Sequence, residues 1–362
     1  MPRLRILEIH GTHYEMGYQH GIAYADSIRE LTHERVALCS DEAWTGRSLP
    51  TDYVLELAEA SIEDHRAYAP ELMEQLAGLA AATDLTLPEL IIANGFTDIA
   101  DTIYNALERT PRHPIYGNEC TTFFVNGDVS AEGKAMLGQT WDMHATATPY
   151  VLMLHGKPKG EPDFMAFTLT GCLAMIGMNE AGIAVGINNL ASANGQVGVT
   201  WPFVCRKVLM QANLEDALAC ITSAKLAGGH NYVITDAEGR GYNVEAMPTV
   251  CHVEPIDVYA HANICRYAPS RSVERPLAED WIKDSDTRIQ RTEQYLNQHP
   301  VTVETLMTLT RDRSDASYSV CSMSEPPFYS ETCGAVIMRP ATRELWGVWG
   351  LPNQNEYERL VL

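Results

Sequence analysis

The chain has 362 residues, 46% hydrophobic and 20% charged, with a formal net charge of −21. Its length admits one large domain or two, and its composition excludes a disordered or fibrous protein. So acidic a surface repels phosphate backbones and anionic headgroups, which argues against nucleic-acid and membrane partners and for small or neutral substrates. The first residues, Met1-Pro2-Arg3-Leu4-Arg5-Ile6-Leu7-Glu8, show neither an apolar run nor a signal-cleavage pattern, and no stretch reaches the length of a membrane span. The expected compartment is the cytoplasm. Nine cysteines are scattered without the paired spacings of zinc sites; in a reducing compartment most are expected as free, buried thiols. No metal or organic cofactor is expected, and homo-oligomerisation is left open.

In chain order, a short strand is predicted at Leu4–Ile9, then a turn over Gly11-Thr12-His13-Tyr14-Glu15-Met16-Gly17 into a helix. Tyr53–Ala82 carries helical periodicity broken at Pro70, and Thr86-Leu87-Pro88-Glu89 is a capping-box helix start. Pro111 and Pro114 mark an irregular, exposed connection that ends at Asn118-Glu119. From Cys120 the pattern turns to strands: Thr121–Asn126, Ala135–Met143, Tyr150–His155 and several within Phe164–Ile187. Helices are expected at Phe203–Gln211 and, capped by Asn213, at Leu214–Ala224. Strands return at Tyr232–Thr235, Gly241–Glu245 and near Val258–Ile264, followed by helices at Trp281–Gln298 and Val303–Arg311. Strands at Ala335–Arg339 and Glu344–Gly350 close the chain. This order predicts an α+β protein, with antiparallel sheets covered by helices rather than a βαβ alternation.

The segment richest in chemistry is Asn118-Glu119-Cys120-Thr121-Thr122-Phe123-Phe124, where a cysteine opens a strand directly after the proline-rich connection. Gly138-Gln139-Thr140-Trp141-Asp142 puts a carboxylate at the end of a second strand. Asn188-Asn189, His261-Ala262-Asn263 and Asn355-Glu356-Tyr357 follow. In their order and spacing these motifs resemble the acyl-coenzyme A:6-aminopenicillanic acid acyltransferase family of N-terminal-nucleophile hydrolases (peptidase C45-like), with choloylglycine hydrolases as more distant relatives. The likeness runs from the Gly11–Gly21 segment to Asn355-Glu356-Tyr357.

The resemblance implies a four-layer αββα fold and a precursor that cuts its own peptide bond between Glu119 and Cys120. Residues 1–119 would then be a mainly helical α fragment or prosegment packed on the core, and residues 120–362 a β fragment within one compact domain. The chemistry is self-consistent, because a thiol with a pKa near ~8.5 needs a base and a free α-amine near ~7.7–8.0 supplies one. By resemblance, Cys120 is the nucleophile, Asn263 the oxyanion asparagine, and Asp142 the carboxylate that orients the new amine. Asn188 and Asn189 sit where choloylglycine hydrolases place a further asparagine, and the sequence leaves open which one points inward. Gln139 stands where those enzymes carry an arginine, which counts against bile-salt-like substrates. Ser322-Met323 follows Cys321 where many relatives carry Arg-His, and Glu119 stands where the penicillin enzyme has a small residue.

Taken singly, each residue has a plainer role. Cys120 would be a structural thiol, Asp142 a strand-end carboxylate, the asparagines turn or core amides, and His10, His13 and His20 caps and packing. Cys172, Cys205, Cys220, Cys251, Cys265, Cys321 and Cys333 are expected to be inert, and Trp346 and Trp349 to be core. Together the motifs predict a self-processing cysteine amidohydrolase acting on a small linear amide, such as an N-acyl amino acid or acylated amine. An acyl-coenzyme A-dependent N-acyltransferase and a silent binding protein on the same fold are the alternatives. The substrate-binding residues are not legible in the sequence.

Overall fold

The computed structural model describes residues 3–45, 47–107, 120–298, 300–315, 318–324 and 329–362. The expected Pro111–Pro114 connection and Asn118-Glu119 lie outside these residues. The chain opens with β1 (Ile6–Gly11), slightly later than expected, and α1 (His13–Ala23). Thr12 and Glu15 form a reciprocal capping box at the start of α1, so the segment expected as a turn over residues 11–17 is helical from His13. Next come α2 (Ala25–Ser40), α3 (Glu42–Thr45), α4 (Thr51–Ala60), α5 (Ile62–Tyr68) and α6 (Pro70–Thr83). The single break expected at Pro70 is joined by another at Ser61, whose hydroxyl donates to the Ala58 carbonyl at 2.6 Å and ends α4. Pro70 begins α6, where its missing N–H costs no hydrogen bond. The Thr86–Glu89 capping box starts α7 (Leu87–Ala93), and α8 (Phe96–Ala106) follows. Helices α1 and α6 cross at Gly17 and Gly78. A Cβ at either would overlap a backbone carbonyl of the other helix, Gln75 or Tyr14.

The remainder is strand-rich. β2 (Thr121–Val125), β3 (Met136–His144), β4 (Val151–Pro158), β5 (Phe164–Leu169), β6 (Ile176–Asn179) and β7 (Ala184–Leu190) precede α9 (Trp201–Val208) and α10 (Leu214–Thr222). Asn213 caps α10 by accepting the Asp216 N–H at 2.9 Å. β8 (Gly229–Thr235), β9 (Gly241–Ala246), β10 (Cys251–Ile256) and β11 (Val258–His261) come next. They lead to α11 (Ala268–Arg271), α12 (Glu279–Leu296), α13 (Val303–Thr310), β12 (Ser330–Arg339), β13 (Glu344–Trp349) and β14 (Glu358–Val361).

Two sheets form. One has eight strands in the order β1-β4-β5-β6-β7-β8-β9-β10, and the other six in the order β11-β2-β3-β12-β13-β14. The sheets meet face to face where β3 and β2 pack on β7, and β12 on β6. Helices α12 and α13 cover the outer face of the six-stranded sheet, and α1 and α10 pack on the eight-stranded one. The layers are α, β, β, α, as expected. Strands β2, β3, β5, β6 and β8 are buried on both faces, so their apolar runs are nearly continuous.

One expectation needs correction, and two strands were not foreseen. The sheets are not wholly antiparallel, because β1 pairs parallel with β4, Ile6 opposite Met153. A strand laid down about 140 residues before its partner is free of the hairpin geometry that forces reversal. Strands β10 and β14 were not expected. Both are outermost strands with alternating exposure, and β10 carries Pro255, which sequence reasoning counts against a strand. Among the described residues no single helix is long and apolar enough to cross a membrane.

Candidate active site

Cys120 lies at the mouth of β2, 2% exposed. The β2–β3 register pairs Thr121 with Thr140 and Thr122 with Gln139, which carries on to set Cys120 opposite Trp141. Its Sγ accepts the Asp142 backbone N–H at 3.5 Å and lies 3.8 Å from the Asp142 carbonyl, to which the thiol donates. Burial pushes the thiol up to about 12. The Asp142 carboxylate pushes the same way, while the Asp142 N–H, the Arg288 guanidinium and the Gln139 side chain oppose it. In the continuous chain Cys120 is therefore a protonated thiol at neutral pH.

Two side chains grip the backbone of Cys120. Asn188 on β7 donates Nδ2–H to the Cys120 carbonyl at 2.9 Å, and Arg288 on α12 donates to the same oxygen at 2.9 Å. Arg288 also reaches Thr121 Oγ1 at 2.9 Å and Asn263 Oδ1 at 3.1 Å, while Asp284, one turn before it, accepts at 2.7 Å. This guanidinium is wholly buried, and its fork ties both ends of the site to one helix. Asn263 donates Nδ2–H to the Asn189 carbonyl at 3.1 Å, and its own carbonyl accepts the Trp281 indole N–H at 3.0 Å. An amide carries two N–H groups, so the Asn189 bond engages one of them.

The two neighbouring asparagines thus differ. Asn188 points its side chain at Cys120 and hydrogen-bonds Asn231 at 3.3 Å, whereas Asn189 contributes its carbonyl and leaves its side chain half-buried. Asn188 meets the carbonyl of the cysteine rather than its sulfur, which is the contact of a positioning group. Asp142 is buried on β3, one residue before Met143. Glu119 lies outside the described residues. Sequence reasoning missed Arg288, Asp284 and Trp281; the i,i+4 spacing of Asp284 and Arg288 was their one local signal, and it is common on exposed helices.

Second neighbours hold these groups. Gln139 Oε1 accepts the Ile187 N–H at 2.7 Å and its Nε2 donates to the Ile187 carbonyl, joining the two sheets beneath the thiol. Gly186 allows this approach, since a Cβ there would lie 3.0 Å from Gln139 Oε1. The turn bearing Asn263 is fixed by Glu245, which takes His261 Nε2 at 3.0 Å and the Arg266 N–H at 2.6 Å. Burial alone would raise the Glu245 carboxyl, but His261 and the Arg266 N–H outweigh it and hold it below its ordinary value. A separate cleft along β11, lined by Glu254, Tyr259, Arg266, Tyr267 and Glu293, includes none of the residues gathered around Cys120. All nine cysteines are free, and eight are buried; Cys251 is exposed. Among the described residues no group of three His, Cys, Asp or Glu side chains is placed to hold a metal ion.

A cysteine at the start of a strand, with buried asparagines and a strand-end aspartate between two stacked sheets, defines the class as an αββα protein with a candidate thiol nucleophile. A model of the family "Acyl-coenzyme A:6-aminopenicillanic acid acyl-transferase" matches residues 129–354, more than half of the chain, and the chain belongs to that family. The matched segment holds Asp142, Asn188, Asn189, Asn263 and Arg288 and begins after Cys120. Similar proteins include the Emericella nidulans acyl-coenzyme A:6-aminopenicillanic-acid-acyltransferase 40 kDa form, 23% identical over 86% of this chain and 82% of its own length. The Drosophila melanogaster β-alanyl-dopamine/carcinine hydrolase is 23% identical over 67% of this chain and 65% of its own. Among solved structures, penicillin V acylase from Agrobacterium tumefaciens shows 14% identity and a TM-score of 0.40, over 63% of this chain and 82% of that one.

Proposed function

We propose that this protein is a self-processing N-terminal cysteine amidohydrolase that cuts a small linear amide. One observation carries this most: the backbone of Cys120 is held by Asn188 and Arg288, while Arg288 also holds Asn263. Maturation starts with attack of Sγ on the Glu119 carbonyl, the thiol proton passing to the departing Cys120 nitrogen. The Glu119–Cys120 C–N bond breaks as the thioester forms, and water then releases the Glu119 carboxylate. Cys120 is left with a free α-amine, which titrates near ~7.7–8.0 and takes the thiol proton in the next reaction. Residues 1–119 and 120–362 remain as two pieces of one fold, since β1 pairs with β4 across the cut.

In turnover, Sγ adds to the substrate carbonyl, the amine hands its proton to the leaving nitrogen, and the thioester acyl-enzyme is hydrolysed by water. Asn263 is the donor for the tetrahedral oxyanion, and Asp142 orients the ammonium form of the amine. Asn188 and Arg288 are positioning groups. The related proteins include, by name, a β-alanyl-dopamine/carcinine hydrolase and an acyltransferase. Hydrolysis is the first reading because water is always available, whereas transfer needs a site that admits an amine and excludes water.

The test is the mass of freshly purified protein beside Cys120→Ala. The expected result is two fragments of 119 and 243 residues, roughly 13 and 27 kDa, from the natural chain and an uncut variant. A natural chain that stays whole after prolonged incubation at neutral pH would overturn the mechanism and favour a binding protein on the same fold. With cleavage established, product formation that requires added amine and acyl-coenzyme A would replace hydrolysis by transfer.

A further inference from the structure

Four arginines are buried among the described residues: Arg35, Arg206, Arg288 and Arg339. Three have carboxylate partners: Arg206 with Glu161, Arg288 with Asp284, and Arg339 with Glu344 and Glu132. Arg35, on α2 and 2% exposed, has no carboxylate in ion-pair contact among the described residues. Its Nη1 points at the Met143 thioether at 3.5 Å, and its guanidinium carbon lies 4.3 Å from the centre of the Phe96 ring. Glu34, its chain neighbour, is turned to the Thr146 hydroxyl instead.

A sulfur and a ring face compensate a buried guanidinium only in part. The cost of holding the ion there is offset when an anion arrives. Burial depresses the Arg35 pKa, with Glu34 opposing, and the adjacent imidazole of His144 is held neutral, pushed down to about 3 by burial and by Arg35 itself. The thiols of Cys39, Cys172 and Cys333 are also near enough to act on Arg35, and aromatic rings flank it. Trp44 stacks on Phe96 at 4.6 Å, His144 meets both rings edge-on, and half-buried Trp44 is the rim of the cluster.

The cluster is reached through Met143, which shares a sheet face with the nucleophile. Cys120 is opposite Trp141 in the strand register, and Met143, two residues on, presents its side chain to the same face of the sheet. Two strand residues span roughly 7 Å. A scissile carbonyl carbon is separated from the carboxyl carbon of an acylated amino acid by about 4 Å across three bonds, and the hydrogen bond beyond it adds about 3 Å. The spacing from Trp141 to Met143 along β3 is thus of the same order as this reach, and the guanidinium has the sign a carboxylate needs.

We propose that Arg35, walled by Phe96, Trp44 and His144, is the seat for a carboxylate on the substrate, so that the enzyme selects acylated amino acids or other amides bearing a nearby carboxylate over neutral acylated amines. The proposal rests on the reading of Cys120 as nucleophile. It also gives the segment before the cut a part in substrate recognition, since Arg35, Trp44 and Phe96 all precede residue 119.

The test uses two alkylating reagents that differ in one charge, N-bromoacetylglycine and N-bromoacetylglycinamide. Their rates at Cys120 are read by mass spectrometry in the natural protein and in Arg35→Met, Arg35→Gln and Arg35→Lys, each checked for folding by circular dichroism. The expected result is at least a tenfold preference for the acid in the natural protein, against its net charge of −21. The preference falls to about one in Met and Gln and is partly kept in Lys, whose point charge lacks the planar fork. A ratio near or below one in the natural protein, or a ratio that survives Arg35→Met, overturns the proposal. If iodoacetamide does not label Cys120 selectively and the chain stays uncut, the nucleophile reading has failed. Melting shifts with N-acetylglycine against its amide, and with succinamate against succinamide, then decide on the seat alone. A shift by the first acid places the carboxylate on the amine side, one by the second on the acyl side, and none with either acid overturns the seat as well.

Discussion

Cys120 and Cys333 make an instructive pair. Both thiols are buried and both lie against the backbone of β3: Cys120 at the Asp142 N–H and carbonyl, Cys333 at the carbonyls of Met143 and His144, 3.9 and 3.8 Å away. Burial raises both. The difference is in what surrounds them. Cys333 Sγ faces three carbonyl oxygens, those of Met143, His144 and Glu331, with the Thr148 hydroxyl as a side-chain donor to the sulfur. Cys120 is met by a backbone N–H at its sulfur and by Asn188 and Arg288 at its carbonyl, with Asn263 held by the same guanidinium. Oxyanion chemistry needs donors fixed before the charge develops, and acceptors cannot supply it. A buried thiol beside a strand, even with one donor at its sulfur, is therefore ordinary, and the two donors at the Cys120 carbonyl with their link to Asn263 set that thiol apart.

The comparison breaks most sharply at Asn263. Asn263→Ala should cut kcat of the processed enzyme by about 10²–10³-fold with little change in KM, the usual cost of one oxyanion donor; steady-state rates on a cleaved amide substrate measure it. A loss confined to KM would remove Asn263 from the transition state. The Arg288–Asp284 pair comes next. Asp284→Ala removes the carboxylate that pairs with a buried guanidinium and should lower stability by roughly 3–5 kcal/mol in urea unfolding. Joint replacement, Arg288→Met with Asp284→Leu, should recover most of that stability yet leave self-cleavage slower by about 10²-fold, because the Cys120 backbone loses a holder. Recovery of the cleavage rate along with the stability would make the pair purely structural.

The motif order made most of this architecture legible, because both sheets are built from strands whose apolar runs and turn residues are plain, as at Asn179–Gly182 and Asp236–Gly239. The helix starts at Thr86 and Asn213 announced themselves through capping chemistry that depends on three or four adjacent residues, whereas Thr12 lay within a segment expected to be a turn. Illegible were features set by distant parts of the chain. The parallel pairing of β1 with β4 depends on a fold closing over about 140 residues. The inward turn of Asn188 rather than Asn189 depends on which face of β7 meets the other sheet. Arg288 takes its place only because α12 lies on β2, and nothing local to Arg35 announces that its neighbours are a thioether and a ring.

Alkylation against pH sharpens the comparison further. In the uncut chain both thiols stand far above their ordinary range, so the thiolate fraction of each is small and grows about tenfold per pH unit. Rates at Cys120 and Cys333 should climb together from pH 7 to 10 in a protein kept whole. Cleavage places an amine beside the Cys120 sulfur. The Cys120 rate should then level off as that amine loses its proton near ~8, while Cys333 goes on climbing. Profiles that stay parallel after cleavage would deny the amine its part as base.

The smallest effect belongs to Cys333→Ala. The side chain is buried, and its loss leaves a gap the size of one sulfur beside Met143 and His144. Large-to-small changes in a packed core lose transfer energy and gain a cavity, but one small atom sets the scale at about 1–2 kcal/mol. No donor to Cys120 or Asn263 is removed, so self-cleavage should run at the natural rate while the urea midpoint falls modestly. The two measurements together keep stability apart from chemistry. A normal midpoint with cleavage slowed tenfold or more would mean that Cys333 acts on the site through β3, and the distinction drawn between the two thiols would fall.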